Sequence, residues 1–220
     1  MDAYYTWGKA LSLGGVNDVN NVAQGNQQDP YNLRGSIGPQ SGDIAHLFVM
    51  NYSYALPTAG AIRSSGIANA VLGGWSLDGI LQKRSGLPVN VLAGLDLVRN
   101  QRTQGDRPNL VAGVNPYLQQ GLQFFDKNAF DSQTPFNQRV YGNLGFNALR
   151  GPRGFTWDAA LHKDFRLLER HIVSVRLEAF NLLNHVVFNN PVNTVTSPQF
   201  GLITGGSAGR AFQLAAKYMF

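Results

Sequence analysis

One segment has the spacing of a catalytic serine. Gly205-Gly-Ser207-Ala-Gly209 matches the nucleophile elbow, in which a serine on a sharp turn attacks an acyl carbon. Enzymes with this turn place an Asp or Glu and then a His after the serine in the chain. No Asp, Glu or His follows Ser207. We therefore interpret the segment as a glycine-rich loop and expect no enzymatic activity.

The residues that commonly bind metal ions give no usable pattern. His46, His162, His171 and His185 do not occur in pairs two or four residues apart, as metal-binding histidines often do. The chain has no cysteine, which excludes thiolate catalysis, zinc–sulfur sites and disulfides. We expect neither a metal ion nor a cofactor.

The remaining charged residues of interest share a pattern of alternation. In two segments near the end of the chain, charged side chains fall at every second position, opposite apolar ones. Five of them are candidates for a polar lining, namely Asp158, Asp164, Arg166, Arg176 and Glu178. They either neutralise one another and their neighbours, or they line a path for a substrate.

The composition narrows the class of protein. The 220 residues are 44% hydrophobic but only 14% charged, against roughly 25% in an ordinary soluble domain. No apolar run approaches the ~18 residues that a membrane-spanning helix needs, so the β-barrel is the remaining spanning architecture. The net charge of +5 is scattered, with no basic run longer than Lys83-Arg84, and we expect no nucleic-acid partner.

Strict alternation predicts an all-β, antiparallel fold of about six strands. In a strand, successive side chains point to opposite faces, so a period of two is the expected signal. The predicted strands cover residues 3–11, 44–56, 74–91, 155–167, 171–180 and 210–220. Soluble half-buried strands alternate in the same way, which leaves a soluble β-sandwich binding module as the alternative.

The lengths of the connections favour a barrel. Long stretches rich in Gly, Asn and Pro follow the first, third and fifth strands, at residues 12–43, 92–154 and 181–209. The link after the fourth strand covers only residues 168–170. Bacterial barrels have long extracellular loops and short periplasmic turns, so the last strand would end on the periplasmic side. The apolar faces would then contact lipid, and the five charged residues above would face the lumen.

Tryptophans lie near the ends of predicted strands. Trp7, Trp75 and Trp157 each occur close to a strand boundary. In membrane proteins, aromatic side chains concentrate at the two membrane–water interfaces. We therefore predict that these three residues belong to interfacial aromatic girdles, with ordinary core packing as the alternative.

Several short motifs together resemble one family. The chain is similar to the C-terminal barrel of TonB-dependent receptors, and most similar to the Oar-like group with a carboxypeptidase-regulatory-like N-terminal domain. The resemblance is carried by Asp29-Pro-Tyr-Asn-Leu-Arg34, Gly38-Pro39, His46-Leu-Phe-Val-Met-Asn-Tyr52, Leu72-Gly-Gly-Trp-Ser-Leu-Asp-Gly-Ile80, Ser85-Gly-Leu-Pro-Val89, Tyr141-Gly-Asn-Leu-Gly-Phe-Asn-Ala-Leu-Arg-Gly-Pro152, Trp157-Asp158, Glu178-Ala-Phe-Asn-Leu-Leu-Asn-His185 and Phe220.

The resemblance implies a location and a function. It implies a receptor in the bacterial outer membrane that takes up a large substrate, energised through the TonB complex. It also implies that the aromatic last strand, with Phe212, Leu214, Tyr218 and Phe220, is the signal for the barrel assembly machinery.

The resemblance also implies what this chain would need in order to transport. Family members enclose a plug within a barrel of about 22 strands, whereas known single-chain barrels have at least eight strands. We expect residues 1–220 to be a C-terminal barrel segment without plug or signal peptide. Its partners would be outer-membrane lipid, the rest of the receptor, and TonB through the missing N-terminal part. Such a segment would not close or transport alone.

Overall fold

A six-stranded antiparallel sheet is the main element of the structure. The computed structural model describes residues 1–13, 27–101, 105–168 and 171–220. Within these residues the largest sheet runs in chain order, so that each strand pairs with the next. Its strands are β1 (Asp2–Trp7), β2 (His46–Ala55), β3 (Ser76–Arg84), β4 (Gly154–Leu168), β5 (His171–Phe180) and β6 (Ala211–Met219). The predicted all-β fold of about six strands is confirmed.

Two strands end earlier than the alternation indicates. β1 ends at Trp7 rather than at residue 11, and Gly8 follows it. β3 ends at Arg84 rather than at residue 91. Pro88 has no N–H to donate to a central ladder, and it belongs instead to a two-residue strand that pairs with Leu149 and Arg150. In both places the alternating sequence pattern continues beyond the end of the strand, because the segment that follows is also extended.

The strand register joins the apolar sides of the single strands into one surface. Residues paired across an antiparallel ladder share a face. One register row therefore places five apolar side chains side by side, namely Tyr54, Leu77, Leu161, Leu177 and Leu214. We call this surface the apolar face and the opposite surface the polar face. A shift of one residue in the pairing of any strand would have moved the apolar side chains of that strand to the polar face.

The connection between β2 and β3 contains two short helices. Helix α1 spans Gly60–Arg63 and helix α2 spans Gly66–Leu72. The hydroxyl of Ser65 accepts a hydrogen bond from the backbone N–H of Ala68 and so caps the start of α2. Within the described ranges, no helix is both long enough and apolar enough to cross a membrane.

The described parts of the long connections contain short regular elements. They contain helix α3 (Gln133–Gln138) and the 3-10 turns Leu33–Ser36 and Lys127–Ala129. They also contain short paired strands, namely Leu11–Leu13 with Ile37–Pro39, Pro88–Val89 with Leu149–Arg150, Asn109–Leu110 with Phe130–Asp131, and Tyr117–Gln120 with Gln123–Phe125.

These connections fold together into one body with its own core. We call residues 27–45, 85–101, 105–153 and 181–210 the loop globule. Val91, Leu97 and Phe125 are fully buried in it. The rings of Phe125, Phe130 and Phe200 pack together with centroids 5.2 to 6.3 Å apart. The sequence indicated long loops here but not this core, because its members come from separate segments with no common period.

Backbone segments in the loop globule approach too closely for a side chain. A Cβ atom at Gly86 would lie 1.8 Å from the carbonyl oxygen of Gly151. One at Gly38 would lie 2.0 Å from the carbonyl oxygen of Phe146. These three glycines belong to the motifs that carry the resemblance above. At these positions the motifs therefore serve the packing of the loop globule.

A buried arginine connects three parts of the loop globule. Arg107 donates from Nε to the carbonyl oxygen of Leu144 and from a terminal nitrogen to that of Gly35, both at 2.7 Å. Its own backbone N–H donates to the Gln28 side chain at 2.9 Å. Burial lowers the pKa of Arg107 to about 10 although Asp106 opposes this effect, so the guanidinium remains charged at neutral pH.

An ion pair joins two distant segments of the loop globule just before they enter β2 and β4. Asp43, three residues before β2, pairs with the guanidinium of Arg150, which also donates to the Asp43 carbonyl oxygen at 2.7 Å. Burial alone would raise the pKa of Asp43. Hydrogen bonds from the Ala10 N–H and from Arg150 outweigh burial, so the pKa lies below its ordinary value. The pair therefore stabilises the fold in its charged form.

We predict that Asp43→Asn loosens the loop globule. The buried pair loses one charge, while the Arg150 side chain is 30% exposed, so we expect a cost of about 2 to 3 kcal/mol rather than the larger cost of a fully buried pair. Hydrogen exchange at the Gly151 amide, which donates to the Leu87 carbonyl oxygen, should then accelerate about 50-fold.

Acid should have the same effect as the substitution. The folded-state pKa of Asp43 is lowered, so its stabilisation is present above the ordinary value of 3.8 and disappears as the pH falls through the lowered value. Asp126→Asn is the matched control, because Asp126 caps a turn and forms no ion pair within the described part of the chain. Equal exchange rates in the two variants would contradict the role of the ion pair.

Candidate functional site

The five predicted lining residues all lie on the polar face. The register pairs His162 with Arg176 and Ala160 with Glu178, which places the even-numbered positions of β4 and β5 on one side of the sheet. The candidates from these strands are Asp158, Asp164, Arg166, Arg176 and Glu178. The apolar face carries none of them.

The polar face contains a depression that gathers three of the five. Its volume is about 420 Å³, and it spans β2, β3, β4 and β5. Asp158, Arg176 and Glu178 line it together with Asp78. Asp164 and Arg166 lie nearer the β4–β5 turn and do not line the depression.

The charged residues of the depression are mostly engaged with one another and with backbone. Arg176 Nε donates to Glu178 Oε1 at 2.7 Å. Asp158 Oδ1 accepts from the backbone N–H of Asn181, also at 2.7 Å, and so fixes the end of β5. Three carboxylates against one guanidinium leave the depression negatively charged.

The two candidates outside the depression differ from each other. Asp164 accepts a hydrogen bond from the Ser174 hydroxyl at 2.6 Å across the β4–β5 ladder. Arg166 is exposed, and its side chain has no hydrogen bond or ion pair with any residue that the structure describes. Among the five candidates it is therefore the cation most accessible to another molecule.

A further contact on this face, between His162 and Asp78, has no signal in the sequence of either strand. His162 Nδ1 lies 2.9 Å from Asp78 Oδ2, between β4 and β3. Both residues occupy polar positions of the alternating pattern, so the same period could have placed them on this face. Only the register of the two strands brings them into contact.

The three tryptophans lie on the apolar side, at different heights. Trp7 ends β1 at the loop-globule end of the sheet and is 73% exposed. Trp75 directly precedes β3 at the opposite end, and its indole N–H donates to the Val71 carbonyl oxygen of helix α2. Trp157 lies three residues inside β4, nearer the loop globule.

The Trp157 side chain is hydrogen-bonded to a residue two strands away, across a glycine. Its indole N–H donates to the hydroxyl of Tyr52 at 2.9 Å. The Tyr52 ring crosses Gly79 on the strand between them, where a Cβ atom would lie 2.3 Å from the tyrosine oxygen. The missing side chain of Gly79 thus allows an aromatic side chain to span β3.

The comparisons with known proteins agree with this geometry. The model of the outer membrane beta barrel domain matches residues 1–213. The chain belongs to the outer membrane beta barrel domain family. Neither a curated protein nor a solved structure matches it. The protein is therefore an outer-membrane β-barrel protein, and the expected localisation in the outer membrane is confirmed, in preference to the soluble β-sandwich.

A buried lysine of this barrel domain departs from the alternation. Lys163 occupies an apolar-face position of β4, paired with Val175. Its ammonium group donates to the carbonyl oxygens of Ala70, at 2.5 Å, and of Gly73. The nitrogen also lies 4.7 Å from the ring centroid of Phe165. The end of helix α2 thus provides polar partners for a charge that would otherwise be exposed and unpaired on an apolar surface.

The serine considered for catalysis and two of the histidines considered for metal binding have structural contacts. The Ser207 hydroxyl accepts a hydrogen bond from the Val187 N–H at 3.0 Å, and the Ser207 N–H donates to the Val187 carbonyl oxygen. His46 and His171 each lie within hydrogen-bond distance of a tyrosine hydroxyl, that of Tyr5 and that of Tyr218. In the described part of the chain, no group of three or more metal-binding side chains occurs.

Proposed function

We propose that this barrel domain is part of an outer-membrane receptor that takes up a large substrate in a TonB-dependent manner. The observation that carries the proposal is the sheet itself. It has an apolar face, a polar face with a depression, and long connections folded into a globule at one end. A wall between lipid and a lumen, with an extracellular part above it, requires these three features together.

The apolar face is proposed to contact lipid. On β4, Phe155 and Phe165 bound a stretch whose apolar-face positions are aliphatic apart from Trp157 and Lys163. Ten residues of strand span about 33 Å, and a tilt of about 40° reduces this to about 25 Å along the membrane normal. This equals the height of the apolar band in outer-membrane barrels. Trp7, Trp75 and Trp157 are then interfacial aromatic residues.

The polar face is proposed to line the lumen. Asp158, Asp164, Arg166, Arg176 and Glu178 would then face the interior of the barrel. The mutual pairing of Arg176 and Glu178 supports a role in neutralising the wall, whereas the accessible Arg166 is the better candidate for a contact with substrate or plug.

The TonB-dependent assignment is supported by the sequence motifs. In the described residues, β1 and β6 each pair on one side only, and unpaired strand edges are costly in hydrocarbon. We propose that residues 1–220 are a barrel segment, that further receptor strands pair with both edges, and that a plug occupies the lumen. The TonB complex would act through that plug-containing part. We propose no catalytic role for the chain.

A lysine on the apolar face should destabilise the barrel. Leu214→Lys places a charge in the proposed lipid-facing band, at an expected cost of about 2 to 4 kcal/mol near the middle of the bilayer. Gln213→Lys is the matched control, because Gln213 is the neighbouring residue on the polar face, and we expect a change within about 0.5 kcal/mol. Urea unfolding in lipid vesicles measures both. An equal loss in the two variants would contradict the assignment of the faces.

The apolar side of β6 is proposed to be recognised during barrel assembly. Phe212, Leu214, Tyr218 and Phe220 project from the same side of this edge strand, and Phe220 is 91% exposed. We expect Phe220→Ala to lower the amount of folded protein in the outer membrane. Met219→Ala, which alters the adjacent position on the polar side, should leave that amount unchanged. Heat-modifiable migration of membrane fractions on gels measures the folded amount.

Uptake should depend on TonB. Cells with and without TonB are compared for receptor-dependent accumulation of labelled siderophore, cobalamin, oligosaccharide and peptide. We expect one of these classes to bind to both strains but to accumulate only when TonB is present. Equal accumulation in the two strains would indicate a passive pore and would contradict the proposal.

A further inference from the structure

Helix α2 has an apolar surface that no described part of the protein covers. Ile67 is 82% exposed, Val71 is 52% exposed and Leu72 is 59% exposed. These side chains project from one short helix in the β2–β3 connection. Isolated exposed apolar residues are ordinary, but three on two turns of one helix form a surface that calls for a partner.

The position of helix α2 relative to the sheet is set by Lys163. The lysine projects from the apolar face, and its ammonium group is bound to carbonyl oxygens at the C-terminal end of the helix. Trp75, on the same face, donates to the Val71 carbonyl oxygen and packs edge-on against Phe165. The helix is therefore attached to the apolar side of the sheet, and not to the polar side.

The height of helix α2 follows from the topology. It lies in the connection at the end of the sheet opposite the loop globule, where the β4–β5 turn also lies. With the loop globule outside the cell, this is the periplasmic edge of the barrel. Phe165 and Tyr218 mark the aromatic end of the apolar face at the same edge.

We infer that α1 and α2 form an amphipathic anchor that lies in the headgroup region of the periplasmic leaflet, with Ile67, Val71 and Leu72 inserted between acyl chains. The partner is a phospholipid surface, because the helix surface continues the face that lipid covers. Arg63 at the end of α1 is exposed and carries the charge that suits anionic headgroups. This inference rests on the proposed lipid-facing assignment of the apolar face.

Lys163 has a defined role in this arrangement. A cation on the lipid-facing side of a barrel needs polar partners, and here the helix carbonyl groups and the rings of Trp75 and Phe165 supply them. In return, the charge holds the end of the helix against the barrel wall. Lys163 is thus a positioning residue for the anchor.

The depth of the helix in the membrane can be measured with one labelled cysteine. This chain has no native cysteine, so Ile67→Cys provides a unique attachment site within it for a fluorophore. The protein is reconstituted from outer membranes into vesicles of phosphatidylethanolamine and phosphatidylglycerol. These vesicles carry nitroxide lipids labelled either near the headgroup or near the chain end, and iodide serves as the aqueous quencher.

The expected result is quenching by the shallow nitroxide. We expect it to quench the label at residue 67 at least about two-fold more strongly than the deep nitroxide does, as for an interfacial helix. Asn69→Cys, on the polar side of the same helix, is the matched control and should be quenched mainly by iodide. Predominant quenching at residue 67 by iodide, or by the deep nitroxide, would overturn the inference.

A reference position separates this inference from the proposed function. Leu214→Cys, in the middle of the apolar face, should be quenched most by the deep nitroxide. If residue 214 responds in this way and residue 67 responds only to iodide, the anchor is wrong while the lipid-facing assignment stands. If residue 214 responds only to iodide, both fail.

The role of Lys163 is tested in the same assay. Lys163→Met removes the charge, and the label at residue 67 should then become at least about two-fold more accessible to iodide. Lys163→Arg retains the charge and should keep the shallow position of the label. An unchanged label in Lys163→Met would show that the lysine does not position the anchor.

Discussion

Backbone hydrogen bonding is the constraint on which the rest of this structure depends. In hydrocarbon, each N–H and C=O group must be paired within the protein, and neighbouring antiparallel strands meet that need in the simplest way. The six strands accordingly pair in chain order. Once the strands are paired, the pleat assigns every side chain to one of two faces. The apolar face, the polar depression and the sites for aromatic side chains are consequences of that assignment.

The sheet and the loop globule are stabilised in different ways. In the loop globule, side chains such as Val91 and Phe125 are removed from water by the protein itself, as in a soluble domain. In the sheet, large apolar side chains such as Leu214, which is 73% exposed, remain on the surface. In the proposed orientation lipid covers them, so the barrel would depend on its membrane, whereas the loop globule has its own core. Asp43 and Arg150 join two segments of the loop globule close to the starts of β2 and β4.

The sequence predicts the strands of the sheet better than it predicts the contacts between side chains. The six strands and both faces were predicted from alternation, with errors only at ends such as Trp7 and Arg84. The charged candidates on β4 and β5 share one face of the sheet for the same reason. The partners of these residues were not predicted. Asp158 binds the Asn181 backbone, and His162 lies beside Asp78, because of register and loop geometry that no single strand contains.

The sequence by itself determined the all-β class, the number of strands in the sheet and the two-faced character of each strand. These properties depend on neighbours one or two residues apart, and a period of two records them directly. Tertiary structure alone decided the core of the loop globule, the contacts of Arg107 and the capping of helix α2 by Lys163. Asp43 and Arg150 lie 107 residues apart, and Lys163 lies 90 residues from Gly73. Such contacts have no local period, since they form only when the strands bring distant segments together.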